Sequence, residues 1–270
     1  MRHLFLLLLL AFGPAGPAHA QETPLVTLDT RDDSRGWEGV GRLDIDGKGF
    51  CTAALIDVRL ILTAAHCVYD DDGEMIDASR FLFNAGLRNG RALATRGVRR
   101  LVAHPDYHTD IGGPRNSTVA VDIAVLELDQ PIRQMGILPF PIAERPRPGE
   151  AVGVVSYARG RTDAASLQEV CSVVQQQEGV VVMTCDVDFG ASGSPVFMIK
   201  DGKRNIVSVI SAMGQLGAAK VALGTSLDAP LRALIAHFNG IGPAQPGGNQ
   251  RMILSGQRNN TGAKFVRPGG

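Results

Sequence analysis

The sequence has no excess of charge of either sign, because its 270 residues carry 27 Lys and Arg against 27 Asp and Glu. Nucleic acids and anionic membranes attract proteins with a strong basic surplus. The composition therefore gives no support to a nucleic-acid or membrane partner. Hydrophobic residues make up 44% of the chain, which is enough to bury a core and excludes general disorder.

Long apolar segments are also scarce. The most pronounced one, residues 4–12, follows the basic start Met1-Arg2-His3 and is much shorter than the ~20 residues that span a bilayer. It leads to Ala18-His19-Ala20, a small-x-small cleavage site. We therefore predict a signal peptide over residues 1–20, a mature chain that begins at Gln21, and export to the periplasm or beyond the cell.

Cysteine is limited to Cys51, Cys67, Cys171 and Cys185. An even number of cysteines in an exported protein predicts two disulfides, and four cysteines allow three pairings. A zinc site is the alternative, but the sequence contains no C-x-x-C pair and its histidines lack suitable spacing. Composition leaves the disulfide pairing open.

Amphipathic helices do not alternate with strands in this sequence, which argues against a parallel α/β fold. Short apolar or alternating segments bounded by Gly, Pro, Asn and Asp are instead typical of an all-β barrel or sandwich. One helix is predicted over residues 230–238, with Asp228 as a candidate N-cap and Gly240 as a stop. The predicted strands cover residues 41–46, 53–56, 60–63, 98–104, 123–128, 151–157, 179–184, 195–199, 206–211 and 221–226.

Three segments carry candidate catalytic groups. Leu62-Thr63-Ala64-Ala65-His66-Cys67 presents a histidine after an apolar run, and Asp122 opens a second apolar segment. Gly190-Ala191-Ser192-Gly193-Ser194-Pro195 sets a serine among small residues. His, Asp and Ser in this order and in these settings resemble the trypsin/chymotrypsin-like serine protease family, over residues 40–238.

The resemblance implies an all-β fold of two six-stranded antiparallel β-barrels packed across a catalytic cleft, with a C-terminal helix. The proline-rich stretch 139–148 falls where a linker would join the barrels. We expect the N-terminal segment and first barrel over residues 21–138, the second barrel and helix over 139–239, and a flexible tail over 240–270. The implied disulfides are Cys51–Cys67 under the histidine and Cys171–Cys185 ahead of the serine.

A serine hydroxyl is a poor nucleophile at neutral pH and needs a nearby base, a role that histidine fills well. An aspartate behind the histidine fixes its tautomer and stabilises the imidazolium that forms. The resemblance assigns these roles to Ser192, His66 and Asp122, and it assigns the oxyanion hole to the backbone N–H groups of Gly190 and Ser192. The chemistry requires no cofactor, and we expect a monomer that acts on protein or peptide substrates.

Other histidines and aspartates are weaker candidates. Asp106 and Asp110 compete with Asp122, but the apolar run after Asp122 matches the family pattern. His104 and His108 are expected to be surface or loop residues, and His237 a packing or solvent residue of the helix.

The chain departs from the best-known family members at Ala191, where those proteins carry an aspartate that pairs with a new N-terminal amine after cleavage. No basic residue followed by Ile-Val-Gly-Gly occurs in residues 21–50. We therefore predict that activation does not use this ion pair. The motif Gly-Ala-Ser-Gly-Ser-Pro is more similar to a bacterial branch that includes the glutamyl endopeptidases.

Substrate specificity depends on the pocket before the nucleophile. Asp186 stands six residues before Ser192, where trypsin-like members place the carboxylate that binds Arg or Lys, and Asp188 is a rival. The expected pocket wall is Ser211-Ala212-Met213, in which Met213 narrows the pocket. The resulting hypothesis is a preference for basic side chains over Glu or small ones, because a buried carboxylate pairs well with a cation.

Two other functions and one other site are compatible with parts of the sequence. A protease-fold binding or signalling protein without turnover would keep the fold, with Ala191 as a sign of lost activity. An α/β-hydrolase esterase is excluded, because its triad runs Ser, Asp, His after a G-x-S-x-G elbow. The acidic segment 70–74, with Asp77, lacks EF-hand spacing and is interpreted as a solvated turn with no bound metal.

Overall fold

β-Strands make up most of the computed structural model, which describes residues 21–109 and 116–240. The predicted signal peptide over residues 1–20, the predicted tail from residue 241 onward and Asp110 lie outside these residues. None of the helices in the described ranges is long and apolar enough to cross a membrane.

The chain starts with a short strand, β1 (Val26–Thr27), and then forms six strands that close into an antiparallel barrel. These six are joined in the order β2-β3-β4-β7-β6-β5, and the pairing Gly41↔Ala85 closes the ring. Their bounds are β2 (Val40–Ile45), β3 (Gly49–Asp57), β4 (Leu60–Thr63), β5 (Phe81–Ala85), β6 (Ala94–Ala103) and β7 (Ala124–Leu128).

A second set of six strands follows the linker and also closes on itself, in the order β9-β10-β13-β12-β11-β8 with β8 paired to β9. Strand β1 adds to the outside of β9, so the N-terminal segment lies on the second barrel although it precedes the first in the chain. The bounds are β8 (Ala151–Ala158), β9 (Arg161–Gln177), β10 (Val180–Met183), β11 (Pro195–Lys200), β12 (Lys203–Leu216) and β13 (Ala219–Ser226).

Helices are short and peripheral. They are two 3₁₀ turns (Ala65–Val68 and Ala78–Arg80), α1 (Asn116–Val119) and the C-terminal α2 (Asp228–Phe238). The two barrels and α2 confirm the predicted all-β architecture. The predicted N-cap is wrong: Leu227 occupies that position without a side-chain bond, and Asp228 instead lies 3.4 Å from the Arg145 guanidinium.

One apolar cluster joins the barrels, because it draws Val40, Leu62 and Val125 from the first and Val155 and Val209 from the second. An aromatic group extends it: the Phe197 ring lies 5.0 Å from Trp37 and 4.8 Å from Phe140, in edge-to-face geometry. Side chains of α2 complete the cluster. The relative position of the barrels is therefore fixed by a shared core.

Both disulfides pair as the resemblance implied. Cys51 and Cys67 link β3 to the 3₁₀ turn that carries His66, with a Cα–Cα distance of 6.3 Å. Cys171 and Cys185 link β9 to the segment ahead of Ser192, with a Cα–Cα distance of 5.0 Å. The sulfurs near His66 are engaged in a disulfide and do not offer metal ligands.

The shared core predicts that Phe197→Ala is strongly destabilising. Phe197 is 1% exposed and touches two other rings, so truncation should lower the free energy of unfolding by about 3–5 kcal/mol. Urea denaturation of the oxidised protein measures this change. Phe189→Ala is the matched control, because Phe189 is 60% exposed and its loss should cost less than about 1 kcal/mol. Equal losses in the two variants would contradict the assignment of the core.

Candidate active site

His66 lies on a turn just after β4 that several contacts hold in place. The 3₁₀ turn Ala65–Val68 follows β4 directly, and the Cys51–Cys67 disulfide fastens it to β3. Lys48 donates a hydrogen bond from its Nζ to the His66 carbonyl at 3.0 Å. These restraints fix the backbone, while the imidazole remains about one-third exposed at 35%.

Asp122 faces this turn from the loop two residues before β7 and is almost completely buried, with 4% of its side chain exposed. Its Oδ1 accepts the backbone N–H of His66 at 2.9 Å, and its Oδ2 lies 2.8 Å from His66 Nδ1. The Ser211 hydroxyl also donates to Oδ2, at 2.5 Å. Three donors therefore converge on one buried carboxylate.

These contacts decide the charge of Asp122. Burial alone would raise the pKa of its carboxyl, but the charge of His66 and the hydrogen bonds from His66 and Ser211 outweigh burial and lower that pKa below its ordinary value. An ionised carboxylate only accepts hydrogen bonds, so His66 Nδ1 carries a proton. In the neutral imidazole Nε2 is then the free acceptor, as a general base requires.

Two glycines shape the loop around Ser192. Gly190 has φ +96° and Gly193 has φ +77°, in the left-handed region that side chains rarely adopt. A Cβ on Gly190 would overlap the Phe50 ring, and a Cβ on Gly193 would overlap Thr63, three residues before His66. The close approach of Gly193 to the end of β4 brings the Ser192 loop beside the histidine turn.

Thr52 in β3 ties the serine loop to the first barrel, and sequence reasoning missed it. Its backbone N–H donates to the Ser192 carbonyl at 2.8 Å, and its hydroxyl donates to the Gly190 carbonyl at 3.0 Å. The Thr63 hydroxyl in turn donates to the Thr52 carbonyl at 2.8 Å. Nothing in the sequence marks Thr52, because it stands in an apolar strand far from the serine motif.

The backbone N–H groups around the nucleophile position divide into two kinds. Ala191 N–H donates to Asp188 O at 2.9 Å, and Gly193 N–H donates to Ile210 O at 2.8 Å. The N–H groups of Gly190 and Ser192 donate to no acceptor among the described residues. These two are the groups predicted to form an oxyanion hole, and they are available for a ligand oxygen.

The Ser192 hydroxyl forms no hydrogen bond with His66 within the described ranges. Catalytic hydrogen bonds of this kind are often long until substrate binds. Two residues further on, Ser194 is fully buried and its Oγ has no partner among the described residues. Ala191 is also buried.

A pocket of about 800 Å³ opens next to the loop and is lined by residues 184–189, 213–215, 220 and 221. Asp186, Asp188 and Met213 all line it, and Lys220 lies on its wall. Asp186 is exposed, so it does not form a buried pocket base. Phe189 stands exposed among the lining residues, and its ring lies under the Arg159 guanidinium.

Ser211, predicted as a pocket-wall residue, does not line this pocket. The pairing of β12 with β13 slips between Ile210 and Ala212, so Ser211 sits on a β-bulge. A bulge redirects the side chain it carries, and here the hydroxyl is turned onto Asp122. The sequence pattern alone does not reveal such a bulge.

The other histidines and acids lie apart from this group. His104 lies in the loop directly after β6, as expected, but it is buried and therefore not a surface residue. Burial lowers its pKa, and its Nδ1 accepts the Asp106 N–H at 3.2 Å. His108 is exposed, and His237 is half-buried near the end of α2. In the acidic segment 70–74, Asp70 Oδ1 accepts two backbone N–H groups, as in a hydrogen-bonded turn.

The fold of two barrels and the His66–Asp122 pair beside a glycine-lined serine define a trypsin-type domain. Residues 47–204 match the family model of the trypsin-like peptidase domain, which is more than half of the chain. The chain therefore belongs to the trypsin-like peptidase family.

Individual relatives are distant. The Suppressor of tumorigenicity 14 protein homolog of Bos taurus is 29% identical over 144 residues, which cover 49% of this chain and 16% of that protein. The chain thus spans a small part of the length of this relative. The crystal structure of the scabies mite inactivated protease paralogue S-D1 aligns with a TM-score of 0.61 at 14% identity, over 78% of this chain and 96% of that one. At this identity the likeness shows the fold alone.

The lowered pKa of Asp122 predicts how Asp122→Asn changes stability with pH. Because the folded-state pKa lies below the ordinary value of about 3.9, the ionised carboxylate favours folding above that pH, and the gain disappears as the pH falls through the folded-state pKa. The wild type should therefore unfold at higher urea than Asp122→Asn at pH 7, with the gap narrowing below about pH 4.

The control for this series is Asp32→Asn. Asp32 is 83% exposed and pairs only with the exposed Arg35 among the described residues, and such surface pairs contribute little. Its urea midpoint should follow the wild type at every pH. A constant gap between wild type and Asp122→Asn from pH 7 to pH 3 would show that Asp122 does not contribute through its charge.

Proposed function

We propose that this chain is an exported trypsin-like serine endopeptidase that hydrolyses peptide bonds through an acyl-enzyme, with Ser192, His66 and Asp122 as the triad. The observation that carries the proposal is the buried Asp122 bonded to His66 Nδ1 beside a serine loop with two unpaired N–H groups. Membership of the trypsin-like peptidase family supports protein or peptide substrates. Two disulfides and the apolar N-terminal segment support export.

In acylation, His66 acts through Nε2, the ring nitrogen that Asp122 does not contact. Ser192 Oγ attacks the peptide carbonyl carbon while His66 Nε2 takes the hydroxyl proton, and the carbonyl oxygen becomes an anion. The imidazolium then gives that proton to the leaving amine as the C–N bond breaks. Asp122 stays ionised throughout and stabilises the imidazolium, a role for which its lowered pKa suits it.

Deacylation repeats the sequence with water. His66 removes a proton from a water molecule, and the resulting hydroxide adds to the ester carbonyl. As this intermediate collapses, the bond between the acyl carbon and Ser192 Oγ breaks, the carboxylic acid product leaves, and the protonated imidazole returns the proton to Ser192 Oγ. The N–H groups of Gly190 and Ser192 would stabilise the oxyanion in both steps. Loss of one such donor costs about 2.7–4 kcal/mol in transition-state stabilisation.

The alternative is a protease-fold protein without turnover. The structural match to a protein described as an inactivated protease paralogue is the observation in its favour, since it shows that this fold occurs without activity. Against it stand the intact His66–Asp122 pair and the available N–H groups, which an inactive domain does not need.

Active-site labelling separates the two functions. Mature protein, residues 21–270, should react with a fluorophosphonate probe at Ser192, and Ser192→Ala should abolish labelling. Ser194→Ala is the matched control, because it removes a buried hydroxyl two residues away; it should retain labelling within about twofold, as expected for a group outside the reaction. His66→Ala should reduce the labelling rate by at least about 100-fold, the usual contribution of a general base.

Folded, disulfide-intact protein that never labels would favour the alternative. Labelling that survives Ser192→Ala would contradict the assignment of the nucleophile. Sites cut in a peptide library, identified by mass spectrometry, would establish endopeptidase activity directly.

For specificity we propose that the pocket accepts an Arg or Lys side chain through Asp186. The support is that Asp186 and Asp188 both line the pocket, together with Met213. Lys220 places a positive charge in the same pocket, which partly offsets the negative charge of the two aspartates. The positive charge of Arg161 offsets it as well. Burial lowers the pKa of the Arg161 guanidinium, and the charges of Asp186 and Asp188 raise that pKa.

Asp186→Asn should raise KM for substrates cut after Arg or Lys by roughly 10- to 100-fold, as expected for the loss of a charged hydrogen bond. Asp188→Asn should change KM far less, because one Asp188 oxygen is already engaged by the Phe189 N–H at 2.7 Å. Wild-type cleavage after Glu or small residues would retain the mechanism and overturn this specificity.

A further inference from the structure

The N-terminal segment 23–28, here the N-terminal strap, is fastened along the outer edge of β9. Thr23 N–H donates to Val170 O at 3.0 Å, and Val170 N–H donates back to Thr23 Oγ1 at 2.9 Å. At the other end, Leu28 N–H donates to Ala165 O at 2.8 Å. The strap therefore docks through directed hydrogen bonds at both ends.

Gln168, a residue of β9 that is 4% exposed, connects this strap to the candidate substrate pocket. Its Nε2 donates to the Thr23 carbonyl at 3.0 Å, and its Oε1 accepts the Asp186 N–H at 2.7 Å. One buried amide thus contacts the strap with one end and the pocket wall with the other.

Few side chains could make both of these hydrogen bonds. The strap requires a donor and the pocket wall requires an acceptor, and an uncharged carboxamide supplies both. Without it, a carbonyl on the strap and an N–H on the pocket wall lose their partners inside the protein. Both hydrogen bonds are partly shielded from water, and losing such bonds is costly, so Gln168 stabilises the strap and the pocket wall together.

The pocket wall depends on β9 at three consecutive residues. Thr184 N–H donates to Ser172 O at 3.0 Å, and Cys185 is bonded to Cys171. Asp186 follows and is held by Gln168. Among the described residues, the Gln168 bond is the last hydrogen bond that β9 makes to this wall before the loop turns toward Ser192.

We propose that Gln168 is a positioning residue that couples the N-terminal strap to the pocket wall, so that the order of residues 184–189 depends on residues 23–28 being docked. Ala191 carries no carboxylate that could anchor this loop, whereas Gln168 offers it an uncharged anchor. The claim about order is independent of the proposed function. A second claim, that the coupling sets substrate affinity, rests on that function.

Hydrogen exchange tests the first claim without any need for catalysis. In a Ser192→Ala background, which prevents self-cleavage, Gln168→Met should accelerate exchange of the Asp186 amide at least about tenfold, as local opening of the wall predicts. Peptides from the first barrel should be unchanged. A chain that begins at residue 29 should show the same acceleration in residues 184–189.

Gln176→Met is the matched control on the same strand. The Gln176 side chain donates a hydrogen bond from Nε2 to Pro146 O at 2.6 Å, and this bond reaches neither the strap nor the pocket wall. Hydrogen exchange of residues 184–189 in the Gln176→Met variant should match that of the Ser192→Ala protein. A folded Gln168→Met protein with unchanged exchange at Asp186 would overturn the coupling, even if the shortened chain fails to fold.

Kinetics test the second claim on the enzyme with Ser192 intact. Gln168→Met should raise KM about tenfold and change kcat less than about threefold, because the wall binds substrate and does not take part in bond breaking. Fluorophosphonate labelling of Ser192 should persist. Faster exchange with an unchanged KM would overturn the second claim, whereas absence of labelling in the wild type would refute the proposed function and leave the exchange result valid.

Discussion

The buried carboxylate of Asp122 is the constraint on which the rest of this site depends. Removing a charge from water is expensive unless hydrogen bonds compensate for it. Here the compensation comes from the His66 turn of the first barrel and from Ser211 of the second. The barrels therefore meet around a charged carboxylate that receives hydrogen bonds from both. Separating the barrels would remove some of those bonds.

Hydrogen bonds to its backbone carbonyls hold the serine loop at the same boundary between the barrels. Thr52 reaches across from the first barrel to the carbonyls on both sides of Ala191, at Gly190 and Ser192. The glycine at position 193 allows the close approach to Thr63 that this arrangement needs. The proposed catalytic groups thus lie at a packed boundary between two sheets, a setting in which their geometry can be held closely.

The sequence predicted those features whose cause is local. Most strands are marked by apolar runs between turn residues, and His66, Asp122 and Ser192 stand in recognisable motifs. Strand β1, strand β5 and the long strand β9 escaped detection. In β9 the exposed end is rich in glutamine, so its pattern looks polar although β10 pairs with Val173 and with residues 175–177.

Features with distant causes could not be predicted. The direction of the Ser211 hydroxyl follows from a slip in strand register, which depends on how β12 meets β13. Thr52 and Gln168 make their decisive bonds to residues more than 100 positions away, at Gly190 and Thr23 respectively. An unaligned sequence carries no signal for such pairs, because nothing in the neighbourhood of either residue is unusual.

The docking of the N-terminal strap also has a consequence for the order of folding. Thr23 and Gln168 are 145 residues apart in the chain, so the strap is synthesised long before its partner strand exists. Contacts of such high sequence separation form late, because the intervening chain must first be ordered. We therefore expect this early segment to be among the last to dock, and under the proposed coupling the pocket wall becomes ordered only after that late step.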